Sequence, residues 1–320
     1  MSTSVIGAGP WGATVAWLIG KEGREVSLWS SSETKRAVLR DTRKPPRTEI
    51  DLPDTVTIVD TLEEALAADL VFLAVPPAYA RAVARAAAPF VRPDHRIVHT
   101  VKGLEPGGPD GGHAISTVIS EETCCLMTGM LAGPVAPAEL WRGDEMAAVV
   151  GSRFETVAIE ASQVLNGPSL RVYQSLDLTG VEIGGAMRTP IGLAAGMLRE
   201  AGLGGPTRAF LLTRGLAEAG RLADALGGQH ETVAGLSGIG DWLVTSEDED
   251  DPVMQAGHRL ARGETGGAPR SEARVRTLLA LAKRKGVDLP ITEAVGAVLD
   301  GTPMQEALAG LMSREIRFEG

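Results

Sequence analysis

The sequence predicts an α/β fold in two parts, alternating strands and helices over residues 1–175 and then an all-helical domain over residues 176–320. Three observations carry this. The strand-like run Thr3-Ser4-Val5-Ile6 passes directly into Gly7-Ala8-Gly9-Pro10-Trp11-Gly12, after which apolar residues recur at helical spacing through Ile19. Up to Tyr173, short apolar runs alternate with amphipathic helical patterns, the signature of a parallel sheet covered by helices. From Leu178 onward apolar residues recur at three-to-four spacing and few β-branched runs remain, which reads as helices alone. A chain of 320 residues also exceeds the size at which a single core stops growing.

Strand, glycine turn and helix start in that order are what a dinucleotide pyrophosphate requires. Gly7 permits the tight turn, Gly9 lets the backbone approach the phosphates, and Gly12 lets the helix pack close to the strand. The pyrophosphate would then lie on the helix N-terminus, where free amides and the dipole favour an anion. Pro10 fits the first helical turn, where the missing amide has no intrahelical partner. The first domain is therefore expected to be a Rossmann-type dinucleotide-binding domain.

The strands are expected at Thr3–Ile6, Glu25–Trp29, Val56–Val59, Leu70–Val75, Arg96–Val101, Leu126–Gly129, Met146–Val150 and Leu170–Tyr173. Between them the spacing predicts helices over Thr61–Ala67, Tyr79–Val91 and Phe154–Leu165, the first opened by a capping box of Thr61 and Glu64. In the second half Leu211–Leu226, Arg274–Lys285 and Thr292–Leu299 are the clearest helices. The acidic run Glu247-Asp248-Glu249-Asp250-Asp251-Pro252 reads as a solvated loop.

Composition excludes several classes. A net charge of −10 argues against nucleic acid or an anionic membrane surface as partner, so an anionic ligand must be held by local donors. No apolar stretch reaches the length of a membrane span, and the N-terminus lacks the basic start and cleavage site of a signal peptide. A cytoplasmic protein is the expectation. Cys124 and Cys125 are adjacent and unsuited to pairing with each other, so buried thiols are the simplest reading, and no spacing supports a metal site. The histidines have no partners at diagnostic spacing and read as surface or satisfied side chains.

In dinucleotide-binding domains an acidic residue ending the second strand bonds the adenosine ribose, and its absence makes room for a 2′-phosphate. Here Trp29 is followed by Ser30, Ser31 and Ser32, with Lys35 and Arg36 close behind. Hydroxyls and cations favour NADP(H), with NAD(H) the alternative. The same residues would also serve as a helix cap, through Ser32 or Thr34, and as a charged helix surface.

Several segments resemble one family when taken in order. They are the glycine motif with Trp11, Val101-Lys102-Gly103-Leu104-Glu105, Gly133-Pro134 with Glu139, and Gly180-Val181-Glu182-Ile183-Gly184-Gly185-Ala186. Further on come Thr213-Arg214-Gly215-Leu216-Ala217-Glu218, Gly238-Ile239-Gly240-Asp241 and Leu289-Pro290-Ile291-Thr292. Together these resemble the bacterial NAD(P)-dependent glycerol-3-phosphate dehydrogenases across nearly the whole chain. The resemblance implies a helical substrate domain, a homodimer formed through it, and an active site in the cleft between the domains. It also places Val75, Pro76, Lys102, Gly133 and Pro137 along the cofactor, and Arg188, Lys102, Asp241 and Thr245 at the reacting centre.

The departures from the family pattern are informative. Where the family carries a catalytic lysine after the Gly-Gly-Ala run, this chain has Arg188, followed by Thr189 instead of asparagine. Arginine polarises a carbonyl or grips an anion but barely releases a proton, so Lys102 or a water becomes the better proton donor. Asp241 would orient or support Arg188, with Thr245 four residues on along the same helical face. The family's Ser-Arg-Asn run, which clamps the substrate phosphate, aligns with Asp251, Pro252 and Val253. Carboxylates there repel a dianion.

The expected function is hydride transfer between nicotinamide and a small carbonyl, hydroxyl or imine substrate. A substrate other than glycerol 3-phosphate is preferred, the acidic loop suiting a neutral or cationic group. The alternatives are a genuine glycerol-3-phosphate dehydrogenase, and a non-catalytic nucleotide-binding sensor or scaffold.

Overall fold

The computed structural model describes residues 1–106, 112–264 and 268–313. Its strands are β1 (Thr3–Ile6), β2 (Val26–Trp29), β3 (Val56–Ile58), β4 (Leu70–Leu73), β5 (Arg96–His99), β6 (Thr128–Ala132), β7 (Met146–Ser152) and β8 (Leu170–Ser175). They form one sheet in the order β3-β2-β1-β4-β5-β6-β7-β8. Around it pack α1 (Pro10–Lys21), α2 (Glu33–Thr42), α3 (Leu62–Ala65), α4 (Pro77–Ala87), α5 (Ile115–Glu122), α6 (Pro137–Arg142) and α7 (Glu155–Leu165). This is a Rossmann-like layer arrangement, and the chain reverses direction across the sheet between β1 and β4.

The pleat divides the core into two layers. Val5, Phe72 and Val98 point to one face and pack with Val15 and Ile19 of α1. Ile6, Leu73 and Ile97 point to the other and pack with Ile115 and Ile119 of α5. Burial on both faces explains why β4, Leu70–Leu73, reads as a continuous apolar run.

Three sequence expectations need correction here. The sheet is not wholly parallel, because β7 pairs antiparallel with β6. The connection between them contains only the six-residue α6, closed by Gly143 at φ 95°, so the chain turns back along its neighbour instead of crossing over. The sixth strand also lies at Thr128–Ala132, C-terminal to the expected Leu126–Gly129, with Leu126 left exposed. The Thr61–Glu64 capping box is present in both of its hydrogen bonds. Of the two thiols, Cys125 is buried as expected but Cys124 is exposed.

After β8 come α8 (Leu178–Glu200), α9 (Gly205–Ala225), α10 (Asp241–Glu247), α11 (Pro252–Ala261), α12 (Pro269–Lys285), α13 (Pro290–Leu299) and α14 (Met304–Met312). The 23-residue α8 is the axis of this domain, capped by Asp177, which accepts from the Gly180 amide at 2.9 Å. Trp242 is fully buried among Met187, Ile191 and Leu222, and its indole Nε1 donates to the Gly184 carbonyl at 2.9 Å, tying α10 to α8. α11 crosses α8 where Gly196 and Gly257 meet; a Cβ on either would collide with a backbone carbonyl of the other helix. That close approach brings the start of α11 beside the middle of α8.

One buried carboxylate clamps α13 to α9. Glu218 accepts from the Ile291 and Thr292 amides and from the Thr292 hydroxyl, satisfying donors at the start of α13. Burial pushes its carboxyl up from 4.5 to about 7. Because the folded value lies above the unfolded one, its contribution is complete below pH 4.5 and is lost as pH rises through 7. The expected loss is about 3 kcal/mol relative to Glu218→Gln, which cannot ionise. Denaturant unfolding of both proteins at pH 4 and pH 8 checks this; parallel pH dependence would remove Glu218 from the balance.

Candidate active site

The glycine turn lies at the point where the chain reverses across the sheet, at the C-terminal ends of β1 and β4. Gly7 has φ +113°, and a Cβ there would collide with the Ala74 carbonyl oxygen at the end of β4. A Cβ on Gly12 would strike the Gly7 carbonyl, so strand and helix touch backbone to backbone. A Cβ on Gly9, by contrast, meets nothing within 4 Å. Space beside Gly9 at the α1 N-terminus is therefore unoccupied by protein atoms.

From this turn a cleft of about 1000 Å³ extends between the sheet and the helical domain. Gly7, Gly9, Pro10, Trp11 and Gly12 line one end, with Ser30, Ser31 and Lys35 beside them. Val75, Pro76, Lys102, Gly133, Pro137 and Arg188 line the remainder. Arg36 is not among the lining residues. Its guanidinium donates to the Ser30 carbonyl at 2.6 Å and lies 3.4 Å from Asp60, holding the turn after β2 in place. Ser32 caps α2, accepting from the Lys35 amide at 3.2 Å. A cation that the sequence reading missed, Arg47, lines the cleft. It belongs to the loop before β3, and only the tertiary path of that loop brings it to the cleft wall.

At the other end, residues far apart in sequence meet. Lys102 follows β5, and its Nζ donates to the Gly133 carbonyl at 3.0 Å and to Asp241 Oδ1 at 2.8 Å. Desolvation, ahead of the attraction of Asp241, holds this ammonium below the ordinary lysine range. Asp241 Oδ2 lies 3.6 Å from Arg188 Nε, and neither of those buried atoms has a hydrogen-bond partner. Arg188 donates instead to Asp251 Oδ2. Asp251 also caps α11, its Oδ1 accepting from the Val253 amide at 2.8 Å. The centre therefore contains two cations and two carboxylates in alternation, each cation facing a buried acid.

Three supports hold this geometry. A π turn, Leu236–Gly240, runs directly into α10 and presents Asp241 at its first residue. Gly185 of α8 packs against the Lys102 loop, a Cβ there lying 3.8 Å from the lysine Cγ. Glu182 of α8 accepts from the Ser116 amide at 3.0 Å, from the Ser116 hydroxyl at 2.9 Å, and from His99 Nε2 at 3.0 Å. Because His99 Nδ1 accepts from the Val101 amide, Nε2 carries the proton that is donated to Glu182. This buried bridge joins the end of β5 to α8 just before Lys102.

Two expectations change. Thr245 is buried and does not line the cleft; its hydroxyl donates to the Asp241 carbonyl at 2.8 Å and its methyl faces Gly192 of α8. The acidic run is not merely solvated, since Glu247 pairs with Arg208, Glu249 with Arg199 and His258, and Asp251 with Arg188. His113 and His230 do not reach the cleft and pair with Glu121 and Asp224. The sequence reading also missed Arg270 and Arg274, which line the cleft from α12. Their four-residue spacing on one helix face was the available signal.

Comparison with known proteins agrees with this architecture. The N-terminal model of NAD-dependent glycerol-3-phosphate dehydrogenase matches residues 2–158, and the C-terminal model matches residues 177–309. The chain is 34% identical to glycerol-3-phosphate dehydrogenase [NAD(P)+] of Agathobacter rectalis, covering 98% of this chain and 96% of that one. It is 37% identical to the protein of the same name from Moorella thermoacetica, with the same coverages of 98% and 96%. The solved glycerol-3-phosphate dehydrogenase of Coxiella burnetii superposes with a TM-score of 0.89 at 26% identity, covering 98% of this chain and 99% of that one. The protein is an oxidoreductase that uses a nicotinamide dinucleotide and acts on CH–OH groups. The chain belongs to the NAD-dependent glycerol-3-phosphate dehydrogenase family.

Proposed function

We propose that this protein interconverts a small secondary alcohol and its ketone in the interdomain cleft, with glycerol 3-phosphate and dihydroxyacetone phosphate the first pair to test. The observation that carries the reading is the Lys102–Asp241–Arg188 cluster at one end of a cleft whose other end is the glycine turn. Full-length similarity to relatives bearing that enzyme name supports the substrate pair.

The bound nicotinamide supplies or accepts the hydride. Lys102 serves the carbonyl oxygen as general acid in reduction and the hydroxyl as general base in oxidation. Two of its donors are held by Gly133 and Asp241, which aims the ammonium and leaves a third N–H for the substrate. Arg188 supplies positive charge for the developing oxyanion, oriented by Asp251. Asp241 holds both cations in register.

A second reading, a substrate other than glycerol 3-phosphate, is favoured by Asp251, Pro252 and Val253. The Asp251 carboxylate already occupies the start of α11 and the Arg188 guanidinium, so no anion grip remains on that side. The acidic run gives little support to a cationic substrate, because Glu247, Glu249 and Asp251 are paired within the protein. Lys35 and Arg47, which line the cleft together with Ser30 and Ser31, support NADP(H) over NAD(H). A homodimer formed through the helical domain is the assembly the family suggests, and exposed Phe210, Leu243 and Val244 leave apolar surface there.

Three outcomes test these assignments. Purified protein should oxidise NADPH with dihydroxyacetone phosphate; turnover only with phosphate-free hydroxyketones or imines would select the second reading. In the reductive direction, kcat should fall as pH rises through the depressed Lys102 value. Lys102→Met should lower kcat about 100-fold or more and abolish that limb of the pH profile; an unchanged profile would remove Lys102 from proton transfer. Lys35→Ala combined with Arg47→Ala should raise KM for NADPH roughly tenfold or more while leaving KM for NADH nearly unchanged.

A further inference from the structure

The cleft is chemically one-sided. In a chain of net charge −10 with 41 Asp and Glu residues, no carboxylate lines it among the described residues. Lys102 and Arg188 have partners behind the wall, in Asp241 and Asp251. Arg270 and Arg274, one turn apart on α12, line the cleft and make no hydrogen bond or ion pair with any described residue. Arg274 is half-buried and lies over the loop that carries Lys102, its Nε 3.5 Å and its Cδ 3.6 Å from where a Gly103 Cβ would sit. Burial, and among the described residues the cations Arg188 and Arg270, work against its ionised form. The outer face of the same helix behaves differently, since Arg276 is bound by Glu272 at 2.9 Å and by Asp300 at 2.7 Å. Desolvating a guanidinium beside two like charges is unfavourable unless an anion joins it.

We propose that Arg274, assisted by Arg270, is the substrate-anion grip of this enzyme, taking the phosphate of a small phosphorylated alcohol from the α12 side of the cleft. The grip lost at Pro252 and Val253 is thereby moved across the cleft. A planar guanidinium offers paired N–H donors that match a phosphate edge, and the adjacent Lys102 places the reacting carbon's oxygen within the same corner of the cleft. Asp251 complements this arrangement, because its carboxylate opposes a phosphate bound at the start of α11 and leaves α12 as the favoured side. The inference rests on the dehydrogenase reading above for the identity of the ligand, but its test is a binding measurement that needs no turnover.

The full-length protein saturated with NADPH is titrated with glycerol 3-phosphate, inorganic phosphate and glycerol, and dissociation constants are measured by calorimetry. With both partners reduced, no hydride is transferred, and saturation with NADPH fills any 2′-phosphate site. Wild type should bind glycerol 3-phosphate and phosphate in competition, and glycerol far more weakly. Arg274→Gln should weaken both phosphate ligands at least tenfold with NADPH affinity within twofold. Arg270→Gln should act in the same direction with smaller effect, and Arg274→Lys should restore part of the loss. Unchanged phosphate binding in Arg274→Gln, or no phosphate binding by wild type, would overturn the proposal. So would a loss confined to NADPH affinity, which would assign Arg274 to the cofactor pyrophosphate. Tight phosphate binding without turnover of dihydroxyacetone phosphate would instead defeat the substrate pair and leave the grip standing.

Discussion

Asp241 is the buried anion on which the arrangement of the cleft depends. Its carboxylate receives the Lys102 ammonium from the dinucleotide-binding domain at 2.8 Å and stands 3.6 Å from Arg188 of the helical domain. Replacing such a group leaves two cations facing each other in a partly desolvated space, a far larger penalty than the loss of a surface ion pair. The π turn before α10 and the buried Trp242 just after Asp241 keep that carboxylate from relaxing toward solvent. Position and charge are thus set by the same short segment.

The remaining interdomain ties serve the same end. Glu182 joins α8 to Ser116 and His99 with every contact buried, so the end of β5 and the start of the Lys102 loop have little freedom relative to α8. At the opposite end of the cleft, the collision that any Cβ on Gly7 would meet fixes the α1 N-terminus against β4. Between these anchored ends lies a cationic space inside an acidic protein. Field lines in such a cleft concentrate anionic ligands that the rest of the surface repels.

Short-range signals were legible in the sequence to the extent that their physics is local. The turn from β1 into α1 requires glycine at Gly7 and Gly12, and the Thr61–Glu64 box closes within one helical turn, so both could be recognised from neighbours alone. The direction of β7 could not, because it depends on whether a short connection has room to cross the sheet. Thr245 was placed at the centre from its spacing relative to Asp241, yet that spacing equally sends its hydroxyl back to the Asp241 carbonyl. Arg36 failed for a related reason: a carbonyl and a carboxylate within reach engaged the cation before a ligand could.

By itself the sequence determined the Rossmann-like half, the helical half and the positions where Lys102, Arg188 and Asp241 stand, since periodicity, turn chemistry and ordered motifs are written along the chain. The tertiary structure alone decided which charges are matched. Asp251 became the partner of Arg188 through the close crossing of α8 and α11, the loop before β3 brought Arg47 to the cleft wall, and Arg274 came to lie over Gly103 with no counter-ion among the described residues. Electrostatic pairing depends on separation and burial in space. Neither quantity is carried by distance along the chain, so the glycine turn could be read in advance and the place of Arg274 in the cleft could not.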